Sequence, residues 1–220
     1  LPMANFTSTT VCVGAATCFN DLTTISSGNI TGWSWNFGDP SCPNNISNVQ
    51  SPCHTYCAAG VYTVILTATS NNGCQSTTNL QTTVSTLPVA AFTANNVCLN
   101  ALTVFTNGST NAVLWDWDFG DATTSTLQNP THTYSGYGTY IVTLIATSSG
   151  GCKDTVMDTL TVYPVPVVNF AADSVCVGDV TSFSDLSFIL PGTISAWNWN
   201  FDDPASGVNN TSAQQNPTHV

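Results

Sequence analysis

Positive charge is nearly missing from this chain, which carries one Lys+Arg against twelve Asp+Glu and a formal net charge of −11. Such a balance repels phosphate backbones and anionic lipid heads, and so argues against nucleic-acid and membrane-surface partners. Charged residues of either sign make up only 6% of the 220 residues. Ser, Thr and Asn supply the polar surface instead, and the chain reads as soluble and acidic. Long apolar runs are lacking as well: none approaches the ~18 residues of a membrane helix, which argues against membrane insertion. No window sets apolar residues at i, i+3 and i+4 between caps, so little or no helix is expected. The chain starts at Leu1 without an initiator Met, a basic n-region or an apolar h-region, an expectation that any signal peptide is removed or lies outside the segment. No Ser, Cys or Lys nucleophile stands in a recognisable setting and no Gly-rich phosphate loop occurs, so no enzyme is expected.

Nine cysteines are present, several at repeated positions. Cytosolic reductants would keep them as thiols, so they point to an oxidising compartment, outside the cell or on its surface. The length leaves room for two or three domains of roughly 50 to 200 residues each.

Internal repetition decides the organisation. Trp33-Ser-Trp35-Asn-Phe37-Gly-Asp39 recurs as Trp115-Asp-Trp117-Asp-Phe119-Gly-Asp121 and as Trp197-Asn-Trp199-Asn-Phe201-Asp-Asp203. Trp35, Trp117 and Trp199 are spaced by 82 and 82 residues. Cys12, Cys98 and Cys176 each precede a Phe (Phe19, Phe105, Phe183) by seven residues. Pro52-Cys-His54-Thr-Tyr56 matches Pro130-Thr-His132-Thr-Tyr134, and Pro217-Thr-His219 opens the third version. Domains are expected at 1–87, 88–164 and 165–220, joined by short Pro-containing linkers at Leu87-Pro88 and Tyr163-Pro-Val-Pro166. The third lacks its last two or three strands. Either this is a window on a longer array, or a strand from another molecule fills the gap.

Within a copy the period is two, the mark of half-buried strands. Tyr62, Val64, Leu66 and Ala68 form one face, as do Tyr140, Val142, Leu144 and Ala146. The expected fold class is all-β, with tandem immunoglobulin-like sandwiches. The ordered motifs Trp-x-Phe-Gly-Asp, Asn-Pro-x-His-x-Tyr and Gly-x-Tyr-x-Val-x-Leu, ending in a Gly-Cys hairpin, resemble the PKD (polycystic kidney disease) domain. The resemblance spans essentially the whole chain and implies non-catalytic extracellular modules. The composition of these copies is similar to that of giant surface proteins exported by Bacteroidetes. Phe201-Asp202-Asp203 departs from Phe-Gly-Asp and is expected to re-form the turn.

Repeat equivalence suggests bridges Cys12–Cys74 and Cys98–Cys152 within the first two copies, each contributing about 4 kcal/mol by loop-closure entropy. Two extra bridges, Cys42–Cys53 and Cys18–Cys57, are expected in copy one, and Cys176 is left unpaired. Zinc at Cys53, His54 and Cys57 is the rival reading. His54, His132 and His219 fill one slot of the repeat, which favours a structural hydrogen bond over catalysis. Asp39, Asp121 and Asp203 are expected to cap turn amides. No cofactor is expected; calcium is the alternative, with Asp116, Asp118 and Asp121 as the densest carboxylate group. The tryptophans are expected in the core rather than on a glycan-binding face. Asn5, Asn29, Asn45, Asn107 and Asn209 head Asn-x-Ser/Thr sequons. Thr155, Thr159 and Ser174 lie in Asp-(Ser/Thr)-aliphatic triplets that resemble Bacteroidetes O-glycosylation sites.

These readings converge on an extracellular stalk or filament without catalysis, which self-associates end to end or by strand donation and meets surface glycans. A glycan-binding accessory module of a secreted hydrolase and a calcium-dependent adhesion ectodomain are the alternatives.

Overall fold

Alternation fixes which face of each strand is dry. In Gly60–Ser70, Val64, Leu66 and Ala68 are fully buried while Val61 and Ile65 face outward. The computed structural model describes residues 1–220 and is built almost wholly of strands, with one 3-10 segment at Pro204–Asn210. Copy one is a sandwich. Its larger sheet runs in the order Val11–Cys12, Gln75–Ser85, Gly60–Ser70, Ile30–Asn36, Ile46–Ser47. The facing sheet is Phe6–Ser8, Ala16–Asp21, Cys53–Thr55. Phe6, Phe19, Trp35, Phe37 and Tyr56 fill the space between them with Val64, Leu66 and Val84. Phe6 meets Trp35 edge-on at 5.0 Å, the geometry that ring quadrupoles favour.

The larger sheet recurs in copy two as Val97–Cys98, Lys153–Tyr163, Gly138–Thr147, Leu114–Asp118, Thr124–Ser125. Trp117 and Phe119 are buried there as Trp35 and Phe37 are in copy one, so the repeated aromatics serve packing. By compactness the chain divides into two units: Leu1–Thr93 with Phe105–Pro130 and Ile141–Asp158, and Ala94–Val104 with Thr131–Tyr140 and Thr159–Val220.

Copy three holds the three-stranded sheet Phe170–Ala172, Thr181–Asp185, Thr218–His219 and a two-stranded remnant, Trp199–Asn200 with Thr211–Ser212. Phe170 is 54% exposed, against 5% for the equivalent Phe6. An apolar cleft of about 530 Å³ is lined by Phe170, Phe183, Trp197, Trp199 and Phe201.

The turn after each aromatic triplet shows why glycine stands there. Gly38 has φ +75°, and a Cβ on it would come within 2.6 Å of the Thr63 carbonyl oxygen. At Gly120, with φ +80°, a Cβ would lie 2.6 Å from the Ile141 carbonyl oxygen. In copy three Asp202 keeps the same left-handed backbone, φ +56°, instead of re-forming the turn. Its N–H donates to Asn200 Oδ1 at 3.0 Å, as Gly38 donates to Asn36 at 2.9 Å.

Candidate functional site

The bridges formed are Cys12–Cys152, Cys18–Cys53 and Cys42–Cys57, with Cys74, Cys98 and Cys176 free and exposed. All four expected pairs, Cys12–Cys74, Cys98–Cys152, Cys42–Cys53 and Cys18–Cys57, are thereby corrected. Strand geometry gives the reason. Cys12 lies beside Ser85 at one end of Gln75–Ser85, whereas Cys74 immediately precedes the other end. Eleven residues of strand span more than about 30 Å, far beyond the ~6 Å between the Cα atoms of a disulfide. Likewise Lys153–Tyr163 runs from beside Cys152 to Tyr163, the register partner of Cys98. Cys18 and Cys53 are direct cross-strand partners, with Cα atoms 4.0 Å apart. This leaves Cys42 to Cys57, and both of their backbone N–H groups donate to Asp39: Cys42 to its carbonyl at 3.2 Å, Cys57 to its carboxylate at 3.4 Å.

Cys12–Cys152 joins copy one to the hairpin of copy two, and the surrounding residues are cut to fit. The backbone of Gly150 lies against Ser85, so close that a Cβ would fall 2.0 Å from the Ser85 hydroxyl oxygen. In the segment that follows the linker, the Ala90 N–H donates to the Asp154 carboxylate at 2.8 Å, beside the hairpin. The hairpin itself is closed by Ser148, whose N–H donates to the Cys152 carbonyl at 2.8 Å and whose hydroxyl accepts from the Cys152 N–H at 3.2 Å. The Gly150-Gly151 pair, where copy one has Asn72-Gly73, was the sequence signal of this close approach.

A second repeated constellation braces copies one and three. His54 stacks on Phe37 with ring centres 4.6 Å apart, and its Nε2 lies 3.6 Å from the Asp39 carboxylate. In copy three His219 stacks on Phe201 at 4.5 Å and reaches Asp203 at 3.3 Å. Asp39 accepts from the Ser41 hydroxyl, while Asp203 accepts from the Ala205 N–H and so caps its turn. Tyr56 donates to the Phe37 carbonyl at 3.0 Å, and burial, then the charge of Asp39, pushes its phenol well above the usual range. Asp39, Cys42 and His54 bring their ligand atoms within 4.8 Å of one another. Cys42 and Cys57 share one bridge and Cys53 belongs to another, so none of these sulfurs is a thiolate for zinc.

Sequence reasoning missed an acceptor hub two residues after the core Phe. Asp21 accepts from the Trp33 indole at 2.7 Å, from Gln50 at 3.2 Å and from the Thr23 N–H at 3.0 Å. Asp185 does the same for Trp197, Gln215 and Ser187. Ser187, through hydroxyl and backbone, leads the contacts that hold the Asp185 carboxyl at about 2.

Among the remaining candidates, Asp118 accepts from the Gly120 N–H at 2.9 Å and Asp121 from the Thr123 N–H at 3.1 Å, while Asp116 is an exposed strand residue. Asn5, Asn29, Asn209, Thr155, Thr159 and Ser174 are exposed. Asn45 is half-buried and accepts from the Asp39 N–H at 2.6 Å, while Asn107 accepts from the Ser109 N–H at 3.0 Å.

The family model of the PKD domain matches residues 1–84 and 85–162. A stretch of 88 residues, 40% of the chain, is 33% identical to the collagenase ColA of Bacillus cereus, and covers 9% of that protein. The chain thus spans about a tenth of the length of this curated relative. Among solved structures, the PKD1 domain of Vibrio anguillarum Epp is 31% identical, with TM-score 0.34, over 38% of this chain and 92% of that one. The PKD1 domain of the Vibrio cholerae metalloprotease PrtV is 38% identical, with TM-score 0.33, over 34% of this chain and 96% of that one.

Proposed function

The chain belongs to the PKD domain family, and from that premise we propose that it is a stiff, non-catalytic spacer in an extracellular structural or adhesive array. The observation that carries this reading is the Cys12–Cys152 bond, which fastens one module to the next rather than stabilising either alone. A linker leaves neighbouring domains free to swing, whereas a covalent tie beside it removes most of that freedom. Three disulfides also favour an oxidising compartment. Small-angle X-ray scattering of the chain and of its Cys12→Ser/Cys152→Ser variant tests the reading. The variant must show a broader distribution of interatomic distances; superimposable profiles would contradict a stiffening role.

The similarity to a collagenase favours a second reading, an accessory module of a secreted hydrolase. Co-sedimentation with insoluble collagen and with insoluble polysaccharide tests it, and recovery in the pellet with either favours the accessory role.

A further inference from the structure

Copy two departs from its neighbours at two adjacent positions, and the backbone requires neither change. Where copies one and three read Asp21-Leu22-Thr23 and Asp185-Leu186-Ser187, copy two reads Asn107-Gly108-Ser109. The local structure is the same in all three. Asp21, Asn107 and Asp185 are the register partners of Phe6, Phe92 and Phe170. Each accepts at Oδ1 from the N–H two residues on, at 3.0, 3.0 and 2.9 Å. Leu22, Gly108 and Leu186 each donate an N–H at 2.8 Å, to the carbonyls of Asn5, Ala91 and Asn169. Gly108 is not in the left-handed region, and a Cβ on it would come no closer than 3.6 Å to the Ala91 side chain. That is ordinary contact, and Leu22 and Leu186 are exposed at the same place, so nothing steric asks for glycine.

The donors that serve the two carboxylates are kept in copy two. The second oxygen of Asp21 accepts from the Trp33 indole and the Gln50 amide, and that of Asp185 from Trp197 and Gln215. Trp115 holds the strand position of Trp33, opposite Ala146 as Trp33 is opposite Ala68. Gln128 follows the carbonyl that accepts from Trp117, just as Gln50 and Gln215 follow those that accept from Trp35 and Trp199. Yet the buried Trp115 Nε1 has no acceptor, a state that folded proteins rarely leave uncorrected. Copy two thus carries the donors for a carboxylate and an amide in the carboxylate's place.

We propose that Asn107 is a self-modification site, an encoded precursor that loses ammonia and becomes the aspartate its donors are set for. Glycine is the residue that least shields its own peptide nitrogen, which accounts for Gly108. The Gly108 nitrogen, having given its proton to hydroxide, attacks Asn107 Cγ. The Cγ–Nδ2 bond breaks, ammonia leaves with a proton from solvent, and a cyclic imide closes. Water then adds at Cγ, the bond from Cγ to the Gly108 nitrogen breaks, and that nitrogen regains a proton. Overall one water is consumed and one ammonia released. The Gly108 N–H must first leave the Ala91 carbonyl, which takes only local opening of the short pairing of Phe92–Thr93 with Thr106–Asn107. Water attack at the other imide carbonyl gives isoaspartate, which adds a carbon to the main chain and breaks the register with Phe92. Isoaspartate re-forms the imide, whereas aspartate is held by Trp115 and Gln128, so aspartate accumulates.

The conversion does not depend on the spacer role. The test ages the whole chain in mildly alkaline buffer and maps residue 107 by peptide mass spectrometry, with fragmentation that separates aspartate from isoaspartate. Asn72-Gly73, in an exposed hairpin turn, supplies the background ratio of the two acids. Residue 107 should become aspartate, in several-fold greater excess over isoaspartate than at Asn72. The melting temperature should rise by a few degrees to that of Asn107→Asp, and Gly108→Leu should keep the amide. An amide intact at residue 107 once Asn72 has converted, an isoaspartate share as large as at Asn72, or conversion undiminished in Gly108→Leu overturns the proposal. So does a glycan on Asn107 in the native material, or a melting temperature that conversion leaves unchanged.

Discussion

Trp115 buries an indole N–H without an acceptor, whereas Trp33 and Trp197 give theirs to carboxylates. The difference is one residue. Asn107 takes the place of Asp21 and Asp185, and its carbonyl oxygen already accepts from the Ser109 N–H. The other branch of the amide is an NH₂, a donor where Trp115 needs an acceptor. Asn107→Asp should therefore raise the stability of copy two by about 1 kcal/mol, and Asp21→Asn should lower that of copy one by a similar amount, both read from thermal melts. The turn glycines make a second case. Gly38→Ala places a Cβ in a left-handed residue and against the Thr63 carbonyl, and should cost upward of about 2 kcal/mol. Asp202→Gly should instead be neutral or stabilising by up to about 1 kcal/mol, since the left-handed strain is relieved. The aligned triplets displayed these contrasts; what the letters alone did not display was which backbone lay within reach.

At the level of the strand and the loop, alternation was a sufficient guide. Val64, Leu66 and Ala68 point inward because a pleated chain leaves them no other common face. Disulfide connectivity escaped the same logic. Repeat equivalence pairs positions between copies, but says nothing of which end of a sandwich each occupies. The eleven-residue length of Gln75–Ser85 was the missing fact, since it sets Cys12 and Cys74 at opposite ends. In copy one, removing the Cys42–Cys57 bridge by paired Ser substitutions should lower stability by about 3 kcal/mol, the chain-entropy value for a loop of this 15-residue separation. Chemical denaturation of the variant checks this. In copy three the loops around Thr181–Asp185 depend on one carboxylate. Because the folded pKa of Asp185 is depressed from 3.8 to about 2, its contribution is complete above 3.8 and lost as the pH falls through 2. Acid titration followed by tryptophan fluorescence should show Trp197 responding in that window, with the response weakened in Asp185→Asn.

For the whole chain, the sequence displayed three copies through their tryptophan spacing. The covalent junction was invisible, because it depends on two copies meeting in space. Calcium is a test at this scale. Asp118 and Asp121 are already engaged with the amides of Gly120 and Thr123, so EDTA should leave the melting temperature unchanged; a drop of several degrees would favour the adhesion ectodomain.

The same junction also decides how a pull would travel. Tension applied at Leu1 and Val220 reaches Cys12 after a few residues, crosses the sulfur bond to Cys152, and continues toward the far terminus. The intervening chain, spanning a separation of 140 residues, is short-circuited and carries no load while the bond holds. With the bond intact, unravelling of the first two modules releases only the residues outside the loop, among them the strands Phe6–Ser8 and Lys153–Tyr163, and the bridged remainder yields its slack only when a reductant opens the shortcut.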